Sequence, residues 1–208
     1  MSVRVQIIFY SMYGHVWRLA EAVADGARRV PGAQVEVYQV QELVPDVVLE
    51  QAGAKAARAA FGHIPLAAVD QLAAADCLFI GSPTRFGNMA AQMRNFLDQT
   101  GGLWSRGALV GKVGSCFTST ASQHGGQETT LTSMHTTLLH HGMVVAGIPY
   151  ADPRLSNVQS VSGGTPYGAS TITGADGRMP SDDELGIASF QGQHVTALAA
   201  ALVRGRVA

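Results

Sequence analysis

Short apolar runs alternate along the chain with stretches that repeat at helical spacing. Val3 to Phe9 is a continuous apolar-rich run, the form of a parallel strand buried on both faces. Val16, Leu19, Ala20, Val23 and Ala27 then recur at helical spacing, and Pro31-Gly32 stops this first helix. Val35-Glu36-Val37-Tyr38 alternates and is short, which suits a second strand near a sheet edge. Asp76 to Gly81 reads as a third strand, followed by a helix from about Asn88 to Gln99 with Met89, Met93, Phe96 and Leu97 on one face. Lys112 to Phe117 is a fourth strand, with a helix from about Glu128 to His140 after it, and Met143 to Ile148 is a fifth strand. A last helix opens on Asp182-Asp183-Glu184, whose carboxylates favour the positive end of its dipole. Its apolar positions are Leu185, Ile187, Ala188, Val195, Leu198 and Leu202.

Strand and helix in alternation imply an α/β fold with a parallel sheet and right-handed crossovers. Five strands with helices on both faces predict one doubly wound domain over residues 1–208. Two segments are less regular. Val47 to Ala60, between Pro45 and Pro65, is Ala-rich and reads as an exposed helix or an extended connection, and Leu66 to Ala74 as one short helix. Ala151 to Ser181 has no period and is rich in Gly, Ser, Thr and Pro, a long loop insertion of the kind that tends to be functional or disordered.

The chemistry gathers in three polar loops that each follow a strand. In Tyr10-Ser11-Met12-Tyr13-Gly14-His15-Val16 a strand feeds directly into a helix N-terminus, where unpaired N–H groups and the dipole favour an anion. The loop has no Lys for a Walker motif and lacks the glycines of a dinucleotide fingerprint. A phosphate held by hydroxyls and backbone suits a flavin mononucleotide better than ATP or NAD, although an ordinary βα turn has the same local form. Ser82 to Gly87 and Thr118 to Gly126 are the other two loops. In a doubly wound sheet all three meet beyond the C-terminal strand ends, where ligands bind. That convergence favours a cofactor site over three unrelated turns.

Composition narrows the picture further. Of 208 residues 47% are hydrophobic, enough for a full core, and a formal charge of −1 gives no footprint for nucleic acid or an anionic membrane. Cys77 and Cys116, each inside an apolar run, match no zinc spacing and suit a reducing cytosol. No metal site is expected. No run approaches the ~20 apolar residues of a membrane span, and the N-terminus enters a strand at once, leaving no room for a signal peptide. A cytoplasmic protein is expected.

Five stretches then carry a resemblance. They are Tyr10-Ser11-Met12-Tyr13-Gly14-His15, Pro83-Thr84-Arg85-Phe86-Gly87-Asn88, Phe96 to Trp104, His140-His141-Gly142-Met143, and Gly163-Gly164-Thr165-Pro166-Tyr167-Gly168-Ala169. In this order, and running almost the whole chain to Gln191, the sequence resembles the WrbA family: flavodoxin-like NAD(P)H:quinone oxidoreductases that bind FMN. The resemblance implies that Ser11, Met12, Tyr13, Gly14, His15 and Val16 cradle the FMN phosphate. It places Pro83, Thr84, Arg85, Phe86 and Gly87 along the isoalloxazine ring, and Ser119, Thr120, Ala121, Ser122 and Gly125 in the third flavin loop. It implies NADH or NADPH as co-substrate at Tyr13, a quinone pocket walled by Trp104, and a homotetramer in which His141 approaches the flavin from a neighbouring subunit. Two departures stand out. Ordinary flavodoxins carry Ser or Thr where this chain has Tyr13 and Val16, as is normal for the WrbA branch. The third loop reads Ala121-Ser122-Gln123-His124-Gly125-Gly126 where the family has a run of glycines, with one extra residue, and is expected to reshape the rim of the pocket.

Several side chains have two readings. Arg85 is the one fixed cation in the ring loop and would favour negative charge on a reduced flavin, or else cap a helix or bridge subunits. Trp104 would stack on a planar ring, pack an interface, or both. His141 would hydrogen-bond the flavin or protonate the product, or simply sit well at a helix C-terminus. The activity expected is a two-electron, ping-pong reduction of quinones. The alternatives are a flavodoxin-type electron carrier, for which the near-zero charge offers little steering, and a non-catalytic regulator that kept the fold. No residue selects NADH over NADPH.

Overall fold

The computed structural model describes residues 2–205. Strand β1 (Val3–Phe9) leads through a tight turn into helix α1 (His15–Arg28), and β2 (Ala33–Gln39) follows Pro31-Gly32. The Ala-rich segment forms two short helices, α2 (Asp46–Gln51) and α3 (Ala54–Ala59), parted at Gly53, whose φ is 68°. It is not simply exposed: Leu49, Ala54 and Phe61 are buried, and Phe61 meets Phe9 edge-on at 6.0 Å. After a 3-10 turn at Val69–Ala74, β3 (Cys77–Arg85) runs on past Gly81 and folds back into β4 (Asn88–Met89). The helix expected from Asn88 to Gln99 is therefore shorter, as α4 (Ala91–Asp98), and α5 (Gly101–Ser105) follows it. Next come β5 (Val113–Thr120), α6 (Gln127–His140) and β6 (Val144–Val145). The aperiodic segment before α7 (Asp182–Gly205) contains a 3-10 turn at Pro153–Ser156 and a short strand, β7 (Ser170–Ile172).

Five parallel strands run in the order β2-β1-β3-β5-β6, the doubly wound arrangement. Ile8 sits beside Tyr38 on one side and Ile80 on the other, and Ile80 faces Cys116. The sheet has seven strands rather than five, for two local reasons. The β3–β4 hairpin adds an antiparallel pair, Thr84 with Met89 and Arg85 with Asn88. β6 covers only the Val113–Gly114 end of β5, and β7 pairs with Thr118 to Thr120 at the other end. An exposed strand edge invites unwanted pairing, and the long segment covers it.

Side-chain alternation along the strands divides the core into two layers. Val5, Ile7, Phe9, Phe79 and Phe117 pack under α1 and α7, whereas Ile8, Leu78 and Ile80 pack with Met93, Phe96, Leu131 and Met134 of α4 and α6. Cys77 belongs to the first layer and Cys116 to the second, and burial pushes both thiols up into an unreactive range. α1 and α7 touch backbone to backbone. A Cβ on Gly26 would lie 1.8 Å from the Ser189 carbonyl oxygen, and one on Gly192 would lie 2.0 Å from that of Val23.

Candidate active site

The C-terminal ends of β1, β3 and β5 open onto a cavity of about 210 Å³ lined by Ser11, Met12, Tyr13, His15, Val16, Pro83, Thr84, Arg85, Ser119, Thr120, Ala121 and Thr173. Eleven of these twelve residues lie in the three loops expected from the sequence. Thr173 comes from the long segment before α7 and carried no sequence signal. It reaches the cavity because its N–H donates to the Thr120 carbonyl at 2.8 Å, one step beyond the β5–β7 pairing.

The first loop is built around Gly14, which caps α1 in the left-handed region at φ 94°. Its N–H donates to the buried Ser11 hydroxyl at 3.1 Å, which fixes the turn and leaves the N–H groups of the first helical turn directed outward. His15 is nearly buried, and its Nε2 donates to the Gly177 carbonyl at 3.2 Å, tying the helix start to the long segment. The Tyr13 hydroxyl donates to the Ala52 carbonyl at 3.3 Å, so its ring leans toward α2.

The second loop turns through Phe86 and Gly87, with φ 52° and 76°. Positive φ at both positions matches the twist of a tight hairpin. For Phe it is uncommon, and the Phe86 ring stands wholly exposed at the rim. Arg85 donates to the Thr84 carbonyl at 2.8 Å and approaches the Met12 sulfur at 3.5 Å, and among the described residues no carboxylate pairs with it. In the third loop Gly126 caps α6 at φ 93°, and a Cβ there would lie 3.1 Å from the Gly87 Cα. The second and third loops thus meet at two glycines. The Gln123-His124 pair turns away from this cavity and lines a neighbouring one with Ser162 and Thr165, so only Ala121 of the altered stretch reaches the site.

His141 and Trp104 lie elsewhere. They line a separate cavity of about 390 Å³ with Thr100, Asp98, Thr137 and His140. The intervening helix α6 has 14 residues and so spans about 21 Å, with the third loop at one end and His141 at the other. Hydrogen bonding fixes the state of this histidine. The Thr100 hydroxyl donates to the Leu97 carbonyl at 2.6 Å, so at its 2.8 Å contact with His141 it accepts from Nε2. Nδ1 is left as a buried lone pair with no partner among the described residues. Burial, with the charge of His140 adding to it, lowers the His141 pKa below the ordinary histidine value. In this tautomer Nδ1 carries a lone pair and has no proton to donate.

The cavity suits FMN on its own evidence. A glycine-capped helix start and the Ser11 loop offer backbone donors to a phosphate, Ser119 offers a hydroxyl and Thr120 and Thr173 hydroxyl acceptors to a polar chain, and Pro83, Thr84 and Arg85 line the same cavity. A doubly wound sheet with this site at its strand ends defines a flavodoxin-like, flavin-binding protein. The profile of the NADPH-dependent FMN reductase family matches residues 11–153, and the chain belongs to that family. Two proteins named NAD(P)H dehydrogenase (quinone) are similar over nearly all of it. The one from Aromatoleum aromaticum is 64% identical over 206 residues, covering 99% of this chain and 100% of the relative. That from Trichlorobacter lovleyi is 64% identical over 200 residues, covering 96% and 98%. A solved structure described as a flavodoxin, WrbA-like protein from Agrobacterium tumefaciens shares the fold, with a TM-score of 0.63 at 23% identity over 96% of this chain and 99% of that one.

Proposed function

We propose that this protein is an FMN-dependent NAD(P)H:quinone oxidoreductase. The observation that carries the reading is the convergence, in one cavity, of the Gly14-capped helix start with Arg85 and the Ser119 to Ala121 strand end. FMN held in this cavity would supply two-electron redox chemistry between NAD(P)H and a quinone. In balance, NAD(P)H, quinone and one proton give NAD(P)⁺ and hydroquinone. The hydride carries one proton and both electrons, and solvent supplies the second proton.

The chain's own residues bind and orient. Ser11 and the backbone from Met12 to Val16 hold the phosphate. Pro83 to Arg85 and Ser119 to Ala121 would line the ring site, and the Arg85 charge would favour electron density on the ring. Tyr13 and the exposed Phe86 stand at the mouth, where a nicotinamide and a quinone enter in turn, as ping-pong exchange requires. The names of the relatives, NAD(P)H dehydrogenase (quinone), support the substrate pair.

The assembly is a homotetramer in which His141 and Trp104 complete the cavity of a second copy. Their separation from the cavity of their own chain by the length of α6 supports this. Trp104, Val110 and Leu139 are each about 60% exposed in one chain and are apolar surface that another copy would cover. At the partner's site the exposed Trp104 would wall the pocket, with His141 behind it. Among the described residues no helix is long and apolar enough to cross a membrane. The two unpaired cysteines suit the reducing cytoplasm.

A visible spectrum tests the proposal. Purified protein with FMN should lose the flavin band on anaerobic addition of NADH or NADPH and regain it in full with benzoquinone. FMN bound without bleaching would leave an electron carrier, and no retention of FMN would remove the enzyme reading altogether.

A further inference from the structure

Behind the first loop, outside the cavity, lies a largely buried ion pair that the sequence did not suggest. Arg58 of α3 donates through Nη1 to the Ser11 carbonyl at 2.6 Å and pairs with the Glu42 carboxylate at 3.1 Å. Its guanidinium lies over the Tyr10 and Phe61 rings, 5.8 and 5.4 Å from their centroids. Glu42 is held in turn by the Tyr10 hydroxyl, the Gln92 amide and the N–H groups of Leu43 and Val44. Both side chains keep only about 15% of their surface exposed, at 16% and 14%, so the pair is fixed rather than a flexible surface contact.

The consequence follows from peptide geometry. In a trans peptide the C=O of one residue and the N–H of the next point in opposite directions. Arg58 draws the Ser11 carbonyl to the outer side of the loop, so the Met12 N–H is turned to the inner side, where Ser11, Met12 and Tyr13 line the cavity. We infer that Arg58, braced by Glu42, is a positioning residue that presets the phosphate-binding loop and thereby sets the preference for a phosphorylated flavin over an unphosphorylated one. A loop without lysine relies on backbone donors for its phosphate, and such donors bind well only when held in place beforehand. Arg58 also polarises the Ser11–Met12 peptide it touches, strengthening the N–H as a donor.

The inference rests on reading the cavity as the flavin phosphate site, and one experiment separates the two. FMN and riboflavin differ by the phosphate alone. Each is titrated into the flavin-free wild type, Arg58→Met and Arg58→Lys, following the quenching of flavin fluorescence. Methionine keeps an apolar stem over the Tyr10 and Phe61 rings while removing charge and donor. Wild type is expected to prefer FMN, and equal affinity for the two flavins would overturn the phosphate site itself. Arg58→Met should weaken FMN by about tenfold while riboflavin changes by less than about threefold. Arg58→Lys, which keeps one donor and the charge, should recover part of the preference. Parallel losses for both flavins, or none, would make Arg58 a structural residue and overturn the inference. Should Arg58→Met fail to fold, Arg58→Lys decides alone: a loss confined to FMN upholds the assignment, and an equal or absent loss for the two flavins ends it.

Discussion

Glu184 and Arg178 form a two-pronged ion pair, each guanidinium nitrogen 2.9 Å from a carboxylate oxygen, with the carboxylate wholly buried. The same carboxylate accepts from the N–H groups of Gly163, Ile172 and Ser181 and from the Thr171 hydroxyl. Every one of these donors belongs to the long segment before α7. A stretch without helical or strand period is thus ordered around one charge. It carries Thr173 to the cavity and Gly177 onto His15.

Replacing Glu184 by Gln should loosen this segment first. Disrupting a buried, fully paired charge costs about 3–5 kcal/mol, and the amide brings two donors into a ring of donors. Urea denaturation should show the loss, and limited proteolysis should cut between Ser160 and Gly177 in the variant before the wild type. Acidity gives an independent readout. Burial alone would raise the Glu184 pKa, but Arg178 and the hydrogen bonds from Ser181, Gly163 and Thr171 outweigh it and hold it below the usual carboxylate value. The folded form therefore binds that proton less readily than the unfolded form. The stabilisation is complete at neutral pH and is lost as pH falls through the carboxylate range. Wild type should show this acid limb in its stability profile, and Glu184→Gln should flatten it.

Part of that hub was legible beforehand. Ser181-Asp182-Asp183-Glu184 is a capping-box sequence, and in the structure Ser181 and Glu184 exchange the two expected contacts at 2.8 and 3.3 Å. Reading the acidic trio only as a dipole effect missed it. The strands and the three loops were legible because apolar runs, glycines and hydroxyls are local signals, and the doubly wound rule then brings the loops together. β7 was not, because a three-residue strand is held by the free end of β5 rather than by its own propensity. Nor was Arg58, whose contact with Ser11 spans 47 residues and depends on how a short Ala-rich helix folds back.

The seam between α1 and α7 should be intolerant of even one methyl group. Gly26→Ala or Gly192→Ala sets a Cβ against a backbone carbonyl that cannot swing aside. The helices must separate, at a cost of about 1–3 kcal/mol or more. Thermal unfolding should report a lower Tm for either variant. Because the seam lies beneath the sheet and not at the loops, FMN affinity at low temperature should change little.

Arg85 offers an electrostatic test of the ring site. If its charge stabilises electron density on the flavin, Arg85→Gln should lower the two-electron midpoint potential of bound FMN by about 30 mV, a tenfold change in the reduction equilibrium. Equilibration with a reference dye measures this directly. An unchanged potential would leave Arg85 as a surface or interface residue.

The shared site can be tested by mixing two damaged subunits. Ala121→Trp fills the cavity from an exposed loop position, so that chain cannot bind flavin but still presents an intact His141 and Trp104. His141→Ala keeps the flavin loops but removes the imidazole, and its quinone turnover should fall about tenfold or more. When the two chains are co-expressed and purified as a hybrid, sites that combine the loops of the second chain with the His141 of the first are whole. Random assortment across a symmetric interface makes about one site in four of this kind. The hybrid should therefore recover about a quarter of wild-type turnover from parents that each have little. If every site were built within one chain, the hybrid would show only the average of the two parents. Within one chain His141 and the third loop lie at opposite ends of α6, which favours the shared site, and if His141 acts on nothing, His141→Ala would already match wild type.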